Sequence, residues 1–143
     1  MKIAFSALNH IEKNVSKYHH ETGGILGAKN SRQIITEVFL DINEVSTHPC
    51  SYVPSVDLLN NQIAKWDSEN IKFKGLFHTH FAGVKTLSEG DKSYIKKIMK
   101  AMPEDIRYLY FPIFVIPENV MVPYYAYIKD NKVIIQKNRL EII

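Results

Sequence analysis

Cysteine is almost absent from this sequence. Cys50 stands alone among 143 residues, so no disulfide can close within the chain and a disulfide-stapled scaffold is excluded. Long apolar runs are missing too. No stretch approaches the roughly 20 residues that a membrane-spanning helix needs. The opening Met1-Lys2-Ile3-Ala4-Phe5 turns polar at once and lacks the apolar core of a signal peptide. With one thiol and no secretion signal, a reducing, cytoplasmic location is the expectation. There is no internal repeat and no low-complexity segment. Neither sign of charge dominates: 18 basic residues against 15 acidic ones leave a net +3, which is no footprint for nucleic acid. Neither a nucleic-acid nor a membrane partner is expected. What remains is ordinary for a soluble globular chain, with 45% apolar and 23% charged residues. The length suits one domain with a real core, residues 1–143, and is too short for two.

Taken in order, Lys2 to Phe5 reads as a short strand and Ser6 as an N-cap. Leu8, Ile11, Val15 and Tyr18 recur at helical spacing, so a helix is expected to run to His19 or His20. Glu21-Thr22-Gly23-Gly24-Ile25-Leu26-Gly27 leads into a buried strand, with glycines that permit close backbone approach. Glu21 sits at its mouth, where a solvated end-of-helix Glu is the plain alternative. Ser31 to Ile42 and Asn43 to Val53 read as two extended stretches, the second holding His48 as an ordinary loop histidine. Ser55 caps a helix whose stripe is Val56, Leu59, Ile63 and Trp66. Lys72 to His80 is an interior strand. Arg107 to Ile116, Val120 to Lys129 and Lys132 to Gln136 read as three consecutive strands, with turns at Pro117-Glu118-Asn119 and Asp130-Asn131. Their aromatics are sheet packing. The tail Arg139 to Ile143 carries no clear signal. The element order gives a mixed α/β (α+β) domain, with helices flanking a curved, largely antiparallel sheet.

The chemistry concentrates in Gly75-Leu76-Phe77-His78-Thr79-His80 and in the loop and helix next along the chain. Residues two apart on a strand share a face, so His78 and His80 can aim both imidazoles at one point while Thr79 faces the other way. After the loop Phe81 to Leu87, Ser88-x-x-Asp91 opens a helix that runs to about Met102. Asp91 lies on the same stripe as Ile95, Ile98, Met99 and Met102. A free carboxylate on an apolar stripe is costly unless it is paired or binds a metal. Ser88-x-x-Asp91 also reads as a capping box with Asp in place of Glu. Two His and one Asp are the three protein ligands that a catalytic zinc takes, with water as the fourth.

These residues resemble the JAMM metalloproteases, also called the MPN-plus or JAB (Mov34-type) domains. The family pattern is an upstream Glu, then His-Ser/Thr-His, seven residues, Ser, two residues and Asp. Here that is Glu21, His78-Thr79-His80, Phe81 to Leu87, Ser88 and Asp91. The Glu21-x-Gly23-Gly24-x-Leu26 block and the helix carrying Trp66 also fall where the family has them, and the likeness spans about Phe5 to Ile128. The resemblance implies a cytidine-deaminase-like MPN/JAB fold of the compact prokaryotic type. It implies one catalytic Zn²⁺ on His78, His80 and Asp91, with Glu21 as general base and Ser88 as donor to the oxyanion. It also implies peptide or isopeptide hydrolysis, at the extended C-terminal tail of a ubiquitin-like or sulfur-carrier protein or its conjugates. Phe81 departs from the pattern, since relatives usually have Pro after the second His, and the short chain leaves little room for the insertions that eukaryotic deubiquitinating members carry. Three rivals stand beside this reading. One is an MPN scaffold or binding subunit without activity. Another is a metallo-β-lactamase-like enzyme, for which Ala82-Gly83 stands where Asp-His is required. The third is a nucleic-acid module on the lysine face of residues 92 to 100. A homodimer or a place in a larger complex is left open.

Overall fold

The computed structural model describes residues 1–30, 32–42 and 52–143. Strand β1 (Lys2–Ile3) leads into helix α1 (Phe5–Val15), then β2 (Gly23–Lys29), β3 (Ile34–Ile35) and β4 (Glu37–Asp41). Next come helix α2 (Val56–Ser68), strand β5 (Ile71–His80) and helix α3 (Glu89–Ala101). Strands β6 (Tyr108–Tyr110), β7 (Ile113–Val115), β8 (Val120–Val122), β9 (Tyr124–Lys129), β10 (Lys132–Lys137) and β11 (Glu141–Ile142) complete the chain. The expected architecture is present: a mixed α+β fold with three helices on an open, mostly antiparallel sheet.

The large sheet has the order β10-β9-β6-β5-β2-β4, with β7 pairing β5 and β8. Strand β5 is its axis, antiparallel to β2 and parallel to β6 and β7. Both faces are covered, so β7, the middle of β2 and Gly75–Phe77 of β5 read as apolar runs, while the first half of β5, Ile71-Lys72-Phe73-Lys74, still alternates. Successive residues go to opposite sides. Ile25, Leu76 and Ile113 pack with Leu59 and Trp66 of α2 and with Ile95 and Met99 of α3. Leu26, Phe77 and Phe114 pack with Ala7, Ile11 and Val15 of α1. Gly75 marks the tightest approach: its φ is +146°, and a Cβ there would lie 1.9 Å from the Tyr110 carbonyl oxygen.

Several boundaries differ from the sequence expectation. Ser6 does not cap α1. The helix starts two residues earlier, with Ala4 in the cap position, and Ala7, Ile11 and Val15 form its buried i, i+4 stripe. It also ends at Val15, well short of His19. In α2, Val56 is 62% exposed, while Leu59 and Trp66 carry the packing. Ser55 holds the cap position without a side-chain bond, and its backbone N–H donates to Asp41 Oδ2. The stretch 32–42 is two strands, broken at Thr36: β3 joins β1 in a small parallel sheet and β4 edges the large one. The expected strand over residues 43–53 lies, but for Tyr52 and Val53, outside the described residues, and so do His48 and Cys50. The expected strand 107–116 is cut by Pro112 and the strand 120–129 by Pro123, as proline supplies no ladder N–H. The cut lets β6 pair at Gly75 while β7 pairs with His78, Thr79 and His80. The tail also has a place: β11 pairs parallel with β1 through Lys2–Glu141 and Ile3–Ile142.

Candidate metal centre

The end of β5 carries the site. His78 and His80 project from one face of the strand, opposite to Phe77 and Thr79. Their positions are set from both flanks. Gly23 of β2 pairs with His78 on one side, and β7 pairs with the last three residues of β5 on the other. The Ile116 N–H donates to the His80 carbonyl at 2.8 Å. Asp91 arrives from the first turn of α3, with 20% of its side chain exposed.

The three side chains converge. His78 Nε2 lies 2.9 Å from His80 Nε2. His80 Nε2 lies 3.1 Å from Asp91 Oδ2, and His78 Nε2 lies 3.3 Å from Asp91 Oδ1. A tetrahedral zinc with ligands ~2.0–2.1 Å away separates them by ~3.3 Å, so this triangle fits such an ion. The His80 tautomer fits too. Its Nδ1 faces the Val84 carbonyl at 3.2 Å, so the proton sits on Nδ1 and Nε2 presents its lone pair to the triangle. Two imidazoles and one carboxylate suit a borderline transition metal better than the all-oxygen preference of calcium or magnesium. Among the described residues these three are the group that could hold a metal ion.

The same Asp91 completes a capping box. The Ser88 N–H donates to Asp91 Oδ2 at 2.9 Å, and the Asp91 N–H donates to Ser88 Oγ at 3.0 Å. Cap and ligand are therefore not exclusive here, because one carboxylate can serve both. Burial alone would raise its pKa, but in the metal-free chain, where a protonated His80 can donate from Nε2 as well as Nδ1, hydrogen bonds from His78, His80 and the Ser88 N–H hold Asp91 well below the usual carboxylate range. Burial opposes charge on His80, and the Asp91 and Glu21 carboxylates outweigh it, so its pKa is raised.

Glu21, Ser88, His80 and Asp91 line one cleft of about 700 Å³, together with Tyr52, Phe81, Val84 and Tyr94. Burial pushes the Glu21 carboxyl up to about 7, against the pull of His80. Ser88 Oγ accepts from the helix, so its own proton remains to be donated. Phe81 and Val84 belong to a loop that is tied down at both ends. The Gly83 N–H donates to the Ile116 carbonyl at 3.3 Å, and the Tyr124 hydroxyl donates to the Lys85 carbonyl at 3.1 Å. Phe81 supplies an aromatic wall of the cleft.

Sequence reasoning misses two residues here, Asp41 and Tyr94; it offers the stretch around Cys50 to Val53 as a wall of the site, and Tyr52 does line the cleft, but its bond to Asp41 is not foreseen. Asp41 is 1% exposed, and its Oδ2 accepts from the Tyr52 hydroxyl at 2.7 Å. That bond holds the Tyr52 ring over Gly23, where a Cβ would come within 2.4 Å of the ring. Burial and Asp41 push the Tyr52 phenol above its ordinary value, and burial pushes Tyr94 up to about 12. A Tyr three residues past a candidate ligand on one helix is the signal that could find Tyr94; Asp41 ends a half-buried edge strand and carries no such signal.

No family model and no curated protein matches the sequence. Solved structures do. Protein DSY2949 from Desulfitobacterium hafniense superposes with a TM-score of 0.69 at 15% identity, over 100% of this chain and 93% of that one. AF2198, a JAB1/MPN domain protein from Archaeoglobus fulgidus, superposes with a TM-score of 0.58 at 19% identity, over 100% of this chain and 97% of that one. With β5 as the axis of its sheet and three helices around it, this chain has the JAB1/MPN fold.

Proposed function

We propose that this protein is a zinc-dependent peptidase or isopeptidase of the JAMM type. The observation that carries the reading is the convergence of His78 Nε2, His80 Nε2 and the Asp91 carboxylate within a few ångströms of one another, with His80 and Asp91 also lining the cleft that holds Glu21 and Ser88. A zinc ion on those three residues supplies a Lewis acid able to lower the pKa of water from near 16 toward about 7. The chain's own groups do the rest. Glu21 takes the proton of the attacking water and delivers it to the leaving amine; burial raises its carboxyl in the metal-free chain, and a cation bound beside it would favour the ionised form that accepts a proton. The Ser88 hydroxyl donates to the oxyanion that develops on the scissile carbonyl, while its lone pair keeps the Asp91 N–H. His80 is held for its task by the Val84 carbonyl, and Tyr52 and Tyr94 wall the cleft.

The substrate we propose is a protein with an extended C-terminal tail, of the ubiquitin-like or sulfur-carrier class, lying in the cleft beside the 81–87 loop. The test is incubation of the zinc-loaded chain with ubiquitin-like proteins bearing C-terminal extensions. Cleavage after the tail, abolished by Glu21→Gln, is the expected result. Cleavage that survives Glu21→Gln removes the base assignment.

One observation favours a second reading, that of an MPN scaffold. Asp91 is already satisfied by the Ser88 N–H and two imidazoles, so the cluster can stand as a purely structural helix cap. A folded chain that binds no zinc decides for the scaffold.

A further inference from the structure

A hydroxyl residue stands between the two imidazoles, and its side chain points away from them. Thr79 is wholly buried. Its backbone N–H donates to the Thr22 carbonyl at 2.8 Å. In a regular antiparallel ladder, the Thr22 N–H would return a bond to the Thr79 carbonyl. Instead it donates to Thr79 Oγ1 at 2.9 Å, and that hydroxyl faces the Thr22 carbonyl at 3.3 Å as a donor. One side chain thus holds both peptide groups of Thr22. The β2–β5 ladder stops at the pair Gly23–His78, and Glu21 is the residue next to the clamp. With a side-chain oxygen substituting for the main-chain carbonyl, the strand leaves the sheet at this point and Glu21 joins the wall of the cleft.

We infer that Thr79 is the positioning residue of Glu21: its hydroxyl fixes the Thr22 peptide and thereby sets where the Glu21 carboxylate stands against His78, His80 and Asp91. The inference rests on Glu21 being the base of the proposed reaction. The metal ligands do not depend on the hydroxyl. His80 is held through its carbonyl by the Ile116 N–H and through Nδ1 by Val84, and the His78 N–H donates to the Pro112 carbonyl at 3.4 Å. Loss of the hydroxyl therefore moves the base and leaves the ligands. A purely structural threonine would affect both or neither.

The experiment compares Thr79→Val, which keeps the shape, with Thr79→Ser, which keeps the hydroxyl. Both are measured in the full chain beside wild type and Glu21→Gln. The readouts are zinc affinity, amide hydrogen exchange at Thr22, and kcat and KM on a ubiquitin-like protein with a C-terminal extension. For Thr79→Val the expected result is zinc affinity within about threefold of wild type, faster exchange at Thr22, and kcat down at least about tenfold with KM little changed. Thr79→Ser restores exchange and kcat to near wild type. Wild-type kcat in Thr79→Val, unchanged Thr22 exchange, or failure of Thr79→Ser to rescue overturns the inference. If Thr79→Val does not fold, Thr79→Cys, a weaker hydrogen-bonding group, gives the graded loss in kcat at constant zinc affinity or overturns it. Full turnover by Glu21→Gln instead removes the parent reading, and the inference with it. If the wild type cleaves no probe, the exchange and zinc arms still decide whether the clamp exists.

Discussion

Ser88 is assigned two jobs, and they separate by substitution. Its Oγ accepts from the Asp91 N–H at 3.0 Å as the N-cap of α3, and its proton is the proposed donor to the oxyanion. Replacing an N-cap Ser by Ala costs about 1 kcal/mol, within a range of about 0.5–2, whereas replacement by Gly costs only a few tenths. In a domain of this size 1 kcal/mol lowers Tm by about 3–5 °C. Removing one preorganised oxyanion donor costs about 2.7–4 kcal/mol of transition-state stabilisation, or about 10²–10³ in kcat. Ser88→Ala should therefore lose both stability and turnover. Ser88→Gly should keep nearly all the stability and lose as much turnover as the alanine variant. Stability is read by urea or thermal unfolding of the metal-free chain, and turnover on the extended ubiquitin-like probe with zinc bound. If turnover tracks stability, so that the glycine variant retains near wild-type kcat, Ser88 is a cap only and the oxyanion argument fails.

Glu21 and Gly75 each give a further expected outcome. Glu21 has a folded-state pKa raised from 4.5 to about 7, so its contribution to stability is fully present below about 4.5 and is lost as the pH rises through about 7. In the metal-free chain, Glu21→Gln should flatten the fall in stability across that window, read by denaturant unfolding at several pH values; an unchanged slope would show that Glu21 is not buried as described. Gly75→Ala places a Cβ 1.9 Å from the Tyr110 carbonyl oxygen at a φ of +146°. The β5 and β6 backbones must part there, costing at least about 3 kcal/mol, and a loss below about 1 kcal/mol would mean that the strands are not in this register.

The site is more legible in the sequence than the boundaries around it. His78 and His80 are two apart on a strand, and period-2 geometry places them together without knowledge of any partner strand. Asp91 is readable from its place on an apolar stripe. The apolar stripe favours ligand over cap in the sequence, yet the capping box is formed as well, and the distances to both imidazoles leave the same carboxylate able to hold a metal. Glu21 joins the cleft through a long-range pairing of β2 with β5, which the spacing of one chain segment does not encode. The strand errors have a common cause. Apolar runs through 107–116 and 120–129 mask the prolines at 112 and 123, and it is the cut at Pro112 that frees β7 to hold the end of β5. The start of α1 is misread because Leu8, the larger residue, stands beside Ala7, the one that is buried. Asp41 and Tyr52 carry no local signal as a pair, because their bond joins the end of one element to the chain entering another.

The central claim is a metal centre on His78, His80 and Asp91, and direct zinc titration of the purified, chelator-stripped chain tests it. One equivalent should bind per chain in the wild type, with binding lost in His78→Ala and Asp91→Ala and retained in Glu21→Gln. A folded wild-type chain that binds no zinc, or zinc binding that survives both ligand substitutions, would contradict it.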